Sequence, residues 1–497
     1  MAGVTGKSVR YFFNYFEEFN SMRRRTFFGS VALLAICLAS IWPVSAQADV
    51  KLPKVFGNHM VLQQKSNAAI WGWAEANEEI TVSLAGAQAS AKAGADGKWS
   101  TKIATPAAGG PHELVVKGKN EIKLTDVYSG EVWICSGQSN MEWTVAQSLN
   151  PQEEAKNATY PQIRMIKVAH NPAEKPVDDI NGQWQVCAPE TASAFSAVGY
   201  FFARHLQKEL NVPIGMINTS WGGTICEAWT SHGALAADPD FKPMLDRANP
   251  FKPGNPNQAS ALYNGMVHPL VPFTIRGAIW YQGESNCSRA EQYRKLFPAM
   301  IADWRKQFGQ GDFPFLFVQL APFKYGHHPE LLAELWEAQT KTLKVANTGM
   351  AVTTDISTIN DIHPPNKQDV GKRLALWALA KHYGKEGLVH SGPLYESMAV
   401  EGNKVRVKFQ HVGGGLTTRD GKAPTHFTIA GADLKFVPAT AVIDGNSIVV
   451  TSDQVAAPTA VRFAWDQVAE PNLGNKEGLP ASPFRTDEGK LISAGAK

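Results

Sequence analysis

Cysteine is scarce in this chain, at five residues in 497, and no Cys or His group has the spacing of a metal site. The His327-His328 pair lacks both an HExxH pattern and a third ligand, so no metal site is expected. A G-x-S-x-G elbow is missing as well, which excludes an α/β-hydrolase lipase or peptidase of the usual kind. Blocks of basic residues are absent beyond the first 48 positions, which removes the field that would attract a nucleic acid or an anionic membrane. Long apolar runs are confined to Phe27 to Trp42, and that run is short for a membrane span and is followed by Pro43.

The same run has another reading. Arg23, Arg24 and Arg25 precede it and Val44-Ser45-Ala46-Gln47-Ala48 follows it, the order of a secretory signal ending in a small-residue cleavage site. Met22 directly precedes the arginines and is an alternative start. Residues 1–48 are therefore expected to be a signal peptide with an upstream extension, and the protein to be exported to the periplasm or the medium with no stable membrane anchor. This segment has Lys7, Arg10 and the three arginines against Glu17 and Glu18, a net +3 equal to that of the whole chain. What remains is neutral. Cys37 leaves with the segment, and Cys135, Cys187, Cys226 and Cys287 can pair in three ways or stay as buried thiols.

About 449 residues exceed one core, so several domains are expected. Residues 49–128 read as short strands, at 69–73, 80–84 and 112–116, with Asp96-Gly97 as a hairpin turn before Trp99, which suggests a small β-sandwich. Over 129–391 the pattern becomes apolar runs (132–136, 214–219, 277–281, 315–320, 350–354) alternating with helical segments, the clearest at 290–308 and 367–382. That is an α/β domain with a parallel sheet covered by helices. After about residue 392 strands return, at 404–409, 427–429, 447–451 and 460–465, giving a C-terminal β-rich region over 392–497.

Ligands of an open parallel sheet collect beyond the carboxyl ends of its strands. Val132-Trp133-Ile134-Cys135 runs into Ser136-Gly137-Gln138-Ser139-Asn140, where a serine at the strand-to-helix turn is a candidate nucleophile or an ordinary N-cap. A second Gly-x-Ser-Asn follows Ala278-Ile279-Trp280-Tyr281, with Ser285 in the same local setting. From the residues alone either serine qualifies. For the base, His363 lies in a loop after an apolar run with Asp361 beside it, whereas His268 has no neighbouring acid and His205 falls in a helical pattern.

The segments EVWICSGQSNMEW (131–143), NTSWGGTICEAW (218–229), GAIWYQGESN (277–286) and DIHPPNK (361–367), in this order, resemble the sialate O-acetylesterase family of SGNH hydrolases, and the likeness extends to about residue 486. The resemblance implies an SGNH-type α/β fold, a serine esterase acting on O-acetylated sugars through an acetyl-serine, and no cofactor. It assigns Ser139 as nucleophile and first oxyanion donor, Gly223 as second donor, and His363 as base. Gln282 and Asn286 both qualify as an amide donor, with Gln282 preferred. The usual SGNH acid stands three residues before the histidine, where this chain has Asn360; Asp361 or a backbone carbonyl is then left to orient His363. Trp143, Trp221 and Trp280 are the expected sugar-stacking residues or, equally, rim and core packing. O-acetylated sialic acids are the first expected substrates, xylan or other plant polysaccharides the alternative, and a non-catalytic carbohydrate-binding protein the alternative of another class.

Overall fold

The computed structural model describes residues 49–326 and 328–496. The expected signal segment (1–48) and His327 lie outside the described residues.

The N-terminal part contains β1 (Val61–Gln63), β2 (Asn67–Trp73), β3 (Glu79–Leu84), β4 (Ala87–Lys92), β5 (Lys98–Ala104) and β6 (Gly109–Lys117). β2 and β5 pair antiparallel, and β3 pairs with both β4 and β6. Alternation is clean in β2, where Ala68 and Ile70 turn inward while Trp71 and Trp73 stay partly open. The Asp96-Gly97 turn joins β4 to β5, with Gly97 at φ +75°.

β7 (Glu121–Gly137) is 17 residues long and belongs to both parts. Its first half pairs antiparallel with β6, and its second half lies parallel between the strands of a larger sheet. The division of the chain at 128/129 falls inside this strand. We propose the domain boundary there, on the change from antiparallel to parallel partners along β7.

The remaining strands of that sheet are β8 (Tyr160–Lys167), β9 (Trp184–Cys187), β10 (Ile214–Ser220), β11 (Gly277–Tyr281), β12 (Phe315–Val318) and β13 (Thr348–Ala351), in the spatial order β13-β12-β11-β7-β10-β8-β9. All run parallel except the edge strand β9. Every residue of β10, β11 and β12 is buried, as solid apolar runs covered on both faces should be. The helices used below are α1 (Ser139–Glu142), α2 (Ala197–Leu210), α3 (Ala290–Phe308), α4 (Leu331–Thr342) and α5 (Lys367–His382). In α3 the residues Tyr293, Leu296, Phe297, Met300, Ile301 and Trp304 form the inward stripe that their spacing predicts.

The C-terminal region holds two four-stranded sheets around a separate core of Val405, Val407, Ile448, Val450, Phe463 and Phe484. Arg485 and Ser482 tie it to α4 and to Gln319 of the parallel sheet. All four described cysteines are buried free thiols, so the pairing left open by the sequence does not occur here. Among the described residues no helix is long and apolar enough to cross a membrane.

Candidate active site

β7 ends at Gly137, where φ is +137° and a Cβ would lie 2.1 Å from the carbonyl oxygen of Tyr281. Only glycine permits β7 and β11 to stay this close to their ends. The chain then enters α1, whose first residue is Ser139. The turn after β10 packs against it, since a Cβ on Gly222 would meet the Ser139 Cβ at 3.2 Å. Trp221 N–H to Gly137 O (3.0 Å) and Gly222 N–H to the Glu142 carboxylate (2.8 Å) hold that turn in place. Gly223 has φ +73° and nothing within 4 Å of the place a Cβ would take. Its N–H and that of Ser139 have no backbone acceptor among the described residues.

His363 comes from the loop between β13 and α5. Its Nε2 lies 2.8 Å from the Ser139 Oγ, 224 positions away in sequence. The ring is stacked on Trp143 at 4.5 Å and 14°, which leaves it little rotational freedom. Burial, then the nearby Lys367 ammonium, lowers its pKa from the usual imidazole value, and Asp361 partly opposes them. A neutral ring at neutral pH is the form that can accept a proton. Asp361 is loosely placed: its Oδ1 accepts the His363 backbone N–H at 2.9 Å but is 3.6 Å from Nδ1, beyond a good hydrogen bond, and its side chain is 62 % exposed.

Behind this pair is a buried polar group that the sequence analysis did not identify. Asn140 Nδ2 donates to Glu284 Oε1 (2.6 Å) and to the Ile362 carbonyl (2.9 Å), while its Oδ1 accepts from Lys367 Nζ. Burial pushes the Glu284 carboxyl up and pulls the Lys367 ammonium down to about 7, the Glu284 charge partly restoring the latter. Glu284 belongs to QGESN and Lys367 to DIHPPNK. The blocks thus meet through side chains other than those singled out.

Three expectations are corrected. The Gln282 amide donates to the Thr224 carbonyl (3.1 Å) and to Asn286 Oδ1 (2.6 Å), which uses both of its hydrogens inside the protein. Asn286 in turn donates to Glu227 and accepts the Cys226 N–H. Both residues are buried, so neither amide is presented to a ligand as an oxyanion donor would be. Trp280 is 1 % exposed and packed among Trp229, Trp304, Phe297 and Phe315, a core position and no sugar platform. Trp143 and Trp221 do border the site. Trp221 is stacked on His170 at 4.0 Å and 4°, and His170 Nε2 lies 2.9 Å from the Glu142 carboxylate. Ser285 has no histidine partner among the described residues; its N–H points to Gln138 Oε1 at 3.5 Å.

The family described as carbohydrate esterase, sialic acid-specific acetylesterase, matches residues 129–380. The chain belongs to this family. It is 32 % identical to the sialate O-acetylesterase of Homo sapiens over 90 % of this chain and 94 % of that protein. The enzyme of the same name from Mus musculus is 34 % identical over 73 % of this chain and 79 % of its own length. A solved carbohydrate acetylesterase from Xanthomonas citri superposes with a TM-score of 0.83 at 42 % identity, covering 88 % of this chain and 100 % of that one. This family member is accordingly a carbohydrate esterase, a hydrolase acting on O-acetylated sugar, and its fold is the α/β sheet with flanking helices and added β-rich regions that the sequence analysis expected.

Proposed function

We infer that the protein removes acetyl groups from O-acetylated sugars, sialic acids first among them, by a serine mechanism. The observation that carries this reading is the 2.8 Å contact between Ser139 Oγ and His363 Nε2 at the carboxyl end of a parallel sheet. In the proposed mechanism Nε2 takes the Ser139 proton as Oγ bonds to the acetyl carbonyl carbon. The resulting oxyanion is received by the N–H groups of Ser139 and Gly223. His363 then returns its proton to the sugar oxygen as the C–O bond breaks, leaving an acetyl-serine. Water repeats the sequence and releases acetate. Trp143 and Trp221 flank the entrance as apolar surfaces against which a sugar ring can lie.

The sialic acid assignment rests on the names of the relatives. A broader reading, acetyl removal from carbohydrates other than sialic acids, is supported by the 42 % identity to the Xanthomonas citri carbohydrate acetylesterase, and xylan oligomers are the alternative substrates to try. Acetate release from O-acetylated sialic acids, acetylated xylo-oligosaccharides and acetylated pectin fragments tests both. Turnover fastest on sialic acids supports the first reading; turnover on the plant fragments alone moves the assignment to the second; no release from any of them overturns the enzyme reading. Export is part of the proposal, on the residue order of 1–48.

A further inference from the structure

A groove of about 930 Å³ lies between the N-terminal strands and the base of the α/β domain, in the size range of ligand clefts. It is separate from the candidate active site. Thr274 and Gln310, which line it, precede β11 and β12, whereas Ser139, Gly223 and Gln282 follow their strands. The groove is thus at the amino ends of parallel strands whose carboxyl ends carry Ser139.

Its wall is built by β2 and β5. Trp71 and Trp73 stand two residues apart, on one face of β2, and both line the groove. Trp71 is braced edge-on by Phe56 and Phe273 at 4.6 and 6.4 Å. Trp73 is half-buried and has no ring partner among the described residues, so part of its indole is exposed to the groove. On β5 the cross-strand neighbours of Trp73 and Trp71 are Lys98 and Ser100, placing a cation and a hydroxyl beside the two indoles. Thr274 Oγ1 accepts the Ala69 N–H at 3.2 Å, fixing β2 on the α/β domain.

The charge is one-sided. Lys92, Lys98 and Lys102 line the groove against one carboxylate, Asp178, which Lys98 engages at 2.9 Å across it. Lys92 and Lys102 have no ion-pair partner among the described residues. A flat apolar ring beside hydroxyl donors and unpaired cations matches an acidic saccharide: the C–H face of a pyranose on Trp73, and a sugar carboxylate toward the lysines. No arginine lines the groove, which disfavours bidentate phosphate recognition and hence a nucleic acid.

We propose that this groove is a second, non-catalytic site that binds an oligosaccharide bearing carboxylates, of sialic or uronic acid. Calorimetric titration of the Ser139→Ala protein with 3′-sialyllactose and with a glucuronic-acid-substituted xylo-oligosaccharide distinguishes the two sources, with xylohexaose and an octathymidylate as comparators. The expected result is saturable binding in at least one acidic arm, weaker binding of xylohexaose, and at least a tenfold loss of the acidic ligand in Trp73→Ala and in about 0.5 M NaCl. Trp73→Phe, which keeps a ring, should retain most of the affinity, and the thermal midpoint of both variants shows that they fold. Silence in both acidic arms, binding indifferent to Trp73→Ala, or preference for the octathymidylate overturns the proposal. Because the titration requires no turnover, its failure is distinct from failure of the esterase reading.

Discussion

The side-chain amide of Asn140 donates to the carbonyl of Ile362 at 2.9 Å, so the residue after Ser139 holds the residue before His363. The same amide reaches Glu284, and its oxygen is met by Lys367. One buried asparagine therefore sets the relative position of two loops that are distant in sequence. Asn140→Ala removes three hydrogen bonds, two of them fully buried, and leaves Glu284 and Lys367 without this partner. We expect a stability loss of about 1 to 3 kcal/mol and a fall in kcat of about 10- to 100-fold as His363 loses its fixed placement. Thermal melts and steady-state kinetics on a chromogenic acetyl ester read the two effects separately, and full kcat in a destabilised variant would deny the positioning role.

The Ser139 and Ser285 segments look alike locally, and among the described residues only Ser139 of the two meets a histidine. Ser139→Ala should lower turnover by at least about 10³-fold, as loss of a serine nucleophile does, whereas Ser285→Ala should keep most of it. Mass spectrometry after fluorophosphonate treatment should locate the label on Ser139. Label on Ser285 would reverse the assignment.

How much of this was readable beforehand depends on whether the determining contact was local. β11 and α3 were legible because a solid apolar run between turns and a three-and-four stripe are written in adjacent residues. β8 was not, because Pro161 and Arg164 interrupt Tyr160–Lys167, and the charge of the buried Arg164 is met by Asp126 of β7, a partner distant in sequence. The same holds at the site. Ser139 and His363 stand in recognisable blocks, but the burial of Gln282 under Thr224 and Asn286, and of Lys367 against Asn140, arises from segments that meet only in the fold. Trp280 misled because closeness to a motif in sequence is not closeness to a cleft when helices cover both faces of the strand.

Gln282 gives a direct test of that correction. Its amide hydrogens are bonded internally, so Gln282→Ala should act on stability, at about 1 to 3 kcal/mol, and leave kcat of the folded variant within about tenfold. An oxyanion donor would instead cost about 10²- to 10³-fold in kcat with little change in melting. The two patterns do not overlap.

Asp361 is expected to be a weak helper. In a serine triad whose acid is buried and bonded to the base, replacement by the amide costs about 10⁴-fold. Here the carboxylate is exposed and 3.6 Å from Nδ1, so Asp361→Asn should lower kcat/KM by no more than about tenfold. A loss near 10⁴-fold would mean that the carboxylate closes on Nδ1 when substrate binds.

The pH dependence follows from what surrounds His363. In the proposed mechanism its neutral form is the base, and burial together with the Lys367 ammonium lowers its pKa below the usual imidazole value of about 6.5. Activity should therefore rise with pH through a midpoint below 6.5. Lys367 itself titrates at about 7, so throughout that acidic limb it is largely charged and disfavours protonation of the imidazole. Lys367→Met removes this charge, leaving Asp361 and the buried Glu284 as the nearby ionisable carboxyls. With the repulsion gone, the imidazolium is easier to form and its pKa goes up. The limb of kcat/KM should move to higher pH, lowering activity near pH 6 while altering it less near pH 8, where the ring is neutral in both proteins. A limb that stays in place, or moves toward lower pH, would show that Lys367 does not act on His363 through its charge.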